Sequence, residues 1–267
     1  MIKRAAWVMF FLAALAFWSF ASQTMVQKKL KYSCSAQVFE AFEKERLETF
    51  TQTTGIEVDL YVTSSLAAVN RLLAGESDIA SVARWGTYPL QEGGYLETPF
   101  CLDPLVVIIN ARNRLANLTE EQLRNIFNRK ITNWNELGGR DETIILVVPG
   151  KNTAAHETFG RLALKRKEIE YDIMTHRSAL ALEAVKRFPA AVSFVTQGTI
   201  GKAGGVKTVR INGLSPKDKG YPYLQKFSYV TKGKPAGPAK AFVDFTLSEQ
   251  GKEIINKRGM KPIGPKE

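Results

Sequence analysis

Apolar residues recur along this chain at two spacings, and the two alternate. After the polar turn Ser33-Cys34-Ser35, residues Val38, Phe42, Leu47 and Phe50 fall near helical spacing, and Gly55 closes that segment as glycine does at helix ends. Residues 56–62 (IEVDLYV) alternate apolar and polar as a strand does. Residues 64–75 (SSLAAVNRLLAG) return to helical spacing, with Ser64 or Ser65 as the cap, and 77–84 (SDIASVAR) form a short strand. Further on, 103–110 (DPLVVIIN) is continuously apolar, as a buried strand is. Residues 119–127 predict a helix capped by Thr119, 143–148 a strand, 153–164 a helix and 190–195 another strand. Residues 226–233 (KFSYVTKG) read as a strand, and 237–259 as one or two amphipathic helices.

Strands alternating with helices place the chain in the α/β class with a mainly parallel sheet, whose ligands sit at the carboxyl ends of strands. The run 103–110 is a crossover into a second set of elements, and 226–233 returns. The expected organisation is therefore a first lobe of residues 28–104 plus 220–267 and a second of 105–219, with a cleft between them. Residues 1–21 stand apart: Lys3 and Arg4 precede an apolar block from Ala5 to Phe20, followed by small residues around Ala21. That is an export segment, either cleaved near Ala21 or kept as a membrane anchor.

The chain has 267 residues and a formal charge of +11, and removal of Lys3 and Arg4 lowers this to +9. Export argues against nucleic acid as the partner. The charge favours an anionic solute or a membrane surface by long-range attraction, or is a solvated basic surface. The only histidines are His156 and His176, and no C-x-x-C is present. A zinc centre or a Ser-His-Asp hydrolase is thus poorly supported, and no cofactor is expected. Cys34 and Cys101 would meet an oxidising compartment, where pairing is open to them but is not fixed by sequence.

Four loops at strand ends carry candidate ligand groups. The first offers Ser35, Ala36 and Gln37 through hydroxyl, amide and backbone N–H groups, and the second offers Ser65. The third ends on Arg84, whose planar fork suits an oxyanion. The fourth is Lys151-Asn152-Thr153 ahead of a helix start, where free N–H groups and a lysine both attract anions. Each serine or threonine is equally placed to act as a plain helix cap.

The blocks LRNIFNRKITNWNELGG, TIILVVPGKNTAAHETF and GKPAGPAKAFVDFTLSEQGKEIINKRGMKPI resemble phosphate-type periplasmic solute-binding proteins of ABC importers, over roughly residues 30–263. The resemblance implies a type II fold with two lobes that close over a small anion, phosphate or a related oxyanion, and a monomer that delivers it to a membrane permease. It implies that Ser35 to Val38, Ser65, Arg84 and the loop 149–155 are the ligand loops. Two positions depart from the family pattern. Ala83 stands where an acidic residue is usual, and Pro149-Gly150-Lys151-Asn152-Thr153-Ala154-Ala155 lacks the family's arginine and its Ser-Gly-Thr cluster. A buried oxyanion needs donors to replace its water, so these departures leave a second reading open: an ancillary or signalling protein of the same fold that no longer transports phosphate.

Overall fold

A computed structural model describes residues 29–83, 94–165, 168–201 and 203–264. The expected export segment, residues 1–21, and the candidate ligand residue Arg84 lie outside the described residues. The first strand, β1 (Lys29–Ser35), runs parallel to β2 (Glu57–Thr63) and to β3 (Ile79–Ala83). The helices between them are α1 (36–54), which carries one wider π-helical turn at Phe39–Glu43, and α2 (Ser65–Leu73). Gly55 ends α1 at φ 68°, a left-handed conformation that costs glycine little.

The strand β4 (Tyr95–Asn110) is 16 residues long and belongs to both lobes. Its first part pairs antiparallel with β10 (Leu224–Lys232) and β11 (Lys261–Pro262), and its last part with β8 (Ala191–Thr196) and β9 (Val206–Ile211). The second parallel set is β8, β6 (Ile145–Pro149) and β7 (Ile173–Thr175), so the strands run β2-β1-β3-β10-β4-β8-β6-β7. A short β5 (Asn117–Leu118) pairs parallel with β9.

Period-two alternation explains why 103–110 is apolar throughout. Leu105, Val107 and Ile109 pack into one core with Phe127, Trp134, Phe159 and Phe194, while Val106 and Ile108 point to the other face, against Val147, Leu182 and Val185. The second lobe's sheet is therefore covered on both faces: by α3 (Glu120–Phe127) and α4 (154–164) on one, and by α5 (Ser178–Arg187) on the other. The first lobe has its own core, in which Tyr32, Phe42, Phe50, Phe100 and Tyr229 pack under α7 (Gly237–Leu247) and α8 (Glu249–Lys257). Two helices form there because Ser248 is extended and its Oγ caps the second, accepting from Gly251 N at 3.3 Å.

The return crossing is equally sharp. Tyr221 and Tyr223 lie in the second core, and Phe227 and Tyr229 in the first. The β4 crossing meets α6 (Gln197–Ile200): Asp103 accepts from Gly198 N at 3.0 Å and is fully buried. The block ITNWNELGG does structural work. Asn133 and Glu136 cap one 3-10 turn, Gly138 ends it at φ 76°, and Trp134 enters the second core.

Cys34 and Cys101 are both free and buried, which corrects the pairing left open by the sequence. Cys34 lies on β1 and Cys101 on β4, with β3 and β10 between those strands. Three strand spacings amount to about 14 Å, twice the reach of a disulfide.

Candidate functional site

A cleft of about 420 Å³ opens where the carboxyl ends of β1 and β3 face the starts of α4 and α5. The first lobe contributes Ser35, Ala36, Gln37, Glu40, Ser64 and Ser65 to its wall. The second contributes Asn152, Thr153 and Ala154 with Glu157 of α4, and His176 and Arg177 ahead of α5 with Ser178 at its first position. No group of three or more metal-ligating side chains occurs among the described residues.

The two adjacent serines divide the roles that sequence left ambiguous. Ser64 caps α2, its Oγ accepting from Ala67 N at 3.2 Å. Ser65 instead reaches inward: its Oγ lies 3.1 Å from Ser35 Oγ and accepts from Ala83 N at 3.1 Å, tying together the ends of β1 and β3. Gln37 is buried, and its Nε2 donates to Gln225 Oε1 on β10 at 2.8 Å, so one residue of a candidate ligand loop is tied to a crossing strand.

Beneath this wall lies a buried polar network. Ser81 Oγ accepts from Ser35 N at 3.4 Å and lies 2.6 Å from the Tyr32 hydroxyl, which in turn bonds the Glu43 carboxylate. Arg46 donates to Glu43 at 2.6 Å, and its guanidinium lies over the rings of Phe42, Phe100, Tyr229 and Phe242. Burial pushes the Tyr32 phenol and the Cys34 thiol well above their ordinary values, and both stay neutral. The serine cluster therefore stands on a floor fixed by an ion pair, aromatic rings and neutral hydroxyls.

On the second lobe, the Thr153 hydroxyl is already committed. It donates to Gly150 O at 2.8 Å and accepts from His156 N at 3.2 Å, as the N-cap of α4. His156 lies 2.8 Å from Pro149 O through Nδ1, its ring is edge-on to Phe194, and burial lowers its pKa. A neutral imidazole that donates from Nδ1 to a carbonyl is packed against Pro149 and Phe194. Lys151, expected at the ligand, is exposed, its Nζ pairs with Glu168 at 2.9 Å, and it is not among the residues that line the cleft. Asn152 does line the cleft, and Arg84 lies outside the described residues.

Sequence reading missed His176, Arg177, Ser178 and Glu40. The first three stand at the end of a strand and the start of a helix, the rule that selected the other loops. The strand there, β7, has only 3 residues, all half-buried, too short to display a period. Glu40 sits in the wider turn of α1, whose altered pitch helical periodicity does not reveal.

The model of the PBP superfamily domain matches residues 21–250. The chain belongs to the PBP superfamily. Among its curated PBP relatives, the phosphate-binding protein PstS of Bacillus subtilis (strain 168) is 29% identical over 165 residues, 60% of this chain and 55% of that relative. The chain thus spans about half the length of that protein. PstS of Borreliella burgdorferi is 24% identical over 215 residues, 74% of this chain and 77% of its own. A structure described as a phosphate ABC transporter substrate-binding protein from Clostridium perfringens, solved with bound phosphate, superimposes with a TM-score of 0.77 at 23% identity. That likeness covers 88% of this chain and all (100%) of the other. A reduced OxyR from N. meningitidis shares the fold at a TM-score of 0.60 and 11% identity, covering 88% and 99% of the two chains. The PBP fold thus extends to proteins not named for transport, and the relatives named for phosphate are binding proteins.

Proposed function

We propose that this chain is an exported solute-binding protein that holds a small anion, phosphate or a related oxyanion, between its lobes and presents it to a membrane ABC permease. The observation that carries this reading is the convergence of the two walls. Ser35 at a strand end and Ser65 at a helix start of one lobe face Asn152, Arg177 and two helix starts of the other across about 420 Å³. Hydroxyl, amide and guanidinium groups at helix starts suit an oxyanion, and the PstS relatives are named for phosphate. No covalent step is involved; hinge motion at β4 and β10 closes the cleft. The export segment 1–21 fits a periplasmic or membrane-tethered location, and no helix among the described residues is long and apolar enough to cross a membrane.

One observation favours the ancillary reading instead. Glu40 and Glu157 place two carboxylates on the wall, while Lys151 turns away to Glu168. Isothermal calorimetry and thermal shift of the chain from Ser22, with phosphate, sulfate and molybdate, separate the two. Saturable binding of phosphate supports solute capture, since a ligand of the folded state raises its Tm. Binding of another oxyanion keeps the mechanism and changes the cargo. No response to any of them leaves the ancillary role.

A further inference from the structure

The helix α5 begins without a cap of its own. Its N-cap residue is Arg177, which makes no side-chain capping bond, and its first turn contains no acidic residue. Helices leave their first N–H groups unpaired, and these require an acceptor. Here the acceptor comes from the other lobe: Glu40 Oε2 of α1 receives Ala179 N at 3.3 Å, and Arg177 Nε lies 3.9 Å from Glu40 Oε1. The Glu40 side chain is only 11% exposed, and burial raises its pKa, opposed by the Ala179 N–H and by Arg177. Glu40, Arg177 and Ser178 all line the cleft.

We infer that Glu40 is an interlobe cap: its carboxylate completes α5 from across the cleft and holds the lobes together without solute. The negative end of this contact belongs to the first lobe, and the positive end, the helix start and Arg177, to the second. Any hinge motion that opens the cleft must uncap α5 and expose Ala179 N–H to water. Ala154 adds an apolar contact in the same sense, packing from the second lobe against the first lobe's core. This latch belongs to the cleft of the proposed function and rests on that reading only for its consequence, that closure is partly prepaid before solute arrives.

The test uses small-angle X-ray scattering and amide hydrogen exchange on the solute-free chain from Ser22, with two variants. Glu40→Ala removes the acceptor. Arg177→Asp gives α5 a local cap while placing a like charge opposite Glu40, so α5 stays formed but the lobes lose their tie. Both variants are expected to show a larger radius of gyration than the parent, with unchanged far-UV circular dichroism. Ala179 exchange should quicken in Glu40→Ala and stay protected in Arg177→Asp. Scattering curves of both variants that superimpose on the parent's would overturn the latch. Phosphate binding is measured separately, so failure to bind phosphate would count against the proposed function and leave the scattering result standing.

Discussion

Tyr32 and Ser81, on neighbouring strands of the first lobe, are joined by a 2.6 Å hydrogen bond directly beneath Ser35. Through that bond the cleft's serines are continuous with the buried pair of Glu43 and Arg46, both 0% exposed. Removing one member leaves the other charge uncompensated in a dry core, which costs about 3–5 kcal/mol. Arg46→Met and Glu43→Gln are each expected to lower unfolding stability in urea. The charge-free double variant should recover part of the loss, because no buried charge remains unpaired. Equal losses in the double and single variants would mean that packing of Arg46 among its rings, rather than charge, dominates.

Thr153 is expected to act on stability. Both of its hydrogen bonds stay within its own turn, so Thr153→Ala should lower stability by about 1 kcal/mol, the ordinary value of an N-cap. Thr153→Ser should restore it. Thermal melts check this, and calorimetry with phosphate checks the corollary that affinity changes little. A large loss of affinity with an unchanged melt would place the hydroxyl on the solute instead.

Most of the fold was legible in the sequence because it rests on periodicity and punctuation. The continuous run at 103–110 is a strand buried on both faces, Gly55 stops α1, and Thr119 caps α3 with Gln122 completing the reciprocal bond. The lining of the candidate cleft was legible where a strand feeds a helix, as at Ser35, Ser65 and Asn152. It was not legible where tertiary charge pairing decides orientation. Nothing local to Lys151 marks Glu168, 17 residues away, as its partner, and nothing local to Glu40 marks an amide 139 residues away. Nor does a single residue type show that Ser64 caps while Ser65 bridges, since that follows from where β3 ends.

Gly198 is required by closeness. A Cβ there would lie 2.7 Å from Ala41 Cβ and 2.8 Å from both Asp103 Oδ2 and Met260 Sδ. Neighbours from three parts of the chain meet at this point beside the β4 crossing, so Gly198→Ala must push one of them aside. The expected cost is about 1–3 kcal/mol, the usual range for overpacking. Chemical denaturation measures it, and a neutral result would mean that α6 shifts freely against the first lobe.

Asp103 gives the crossing a pH dependence whose sign follows from its burial. Desolvation raises its pKa to about 7, opposed by hydrogen bonds from Gly198 N, Thr196 and Gln197 N. In the unfolded chain the same carboxyl ionises near the ordinary aspartate value of about 4. Between these two values the folded state holds a proton that the unfolded state has released, so stability falls as pH rises from about 4 to about 7 and levels off above that. The contribution from Asp103 is thus greatest at acid pH, opposite in sign to a salt-bridged carboxylate. Asp103→Asn keeps an oxygen acceptor for Gly198 N but cannot ionise. It should flatten this part of the Tm–pH profile, leaving the variant's Tm highest relative to the parent's near pH 7 and above. A parent profile whose slope between pH 4 and 7 is unchanged by Asp103→Asn would mean that Asp103 is ionised in the folded state throughout, with its charge carried by the α6 amides alone.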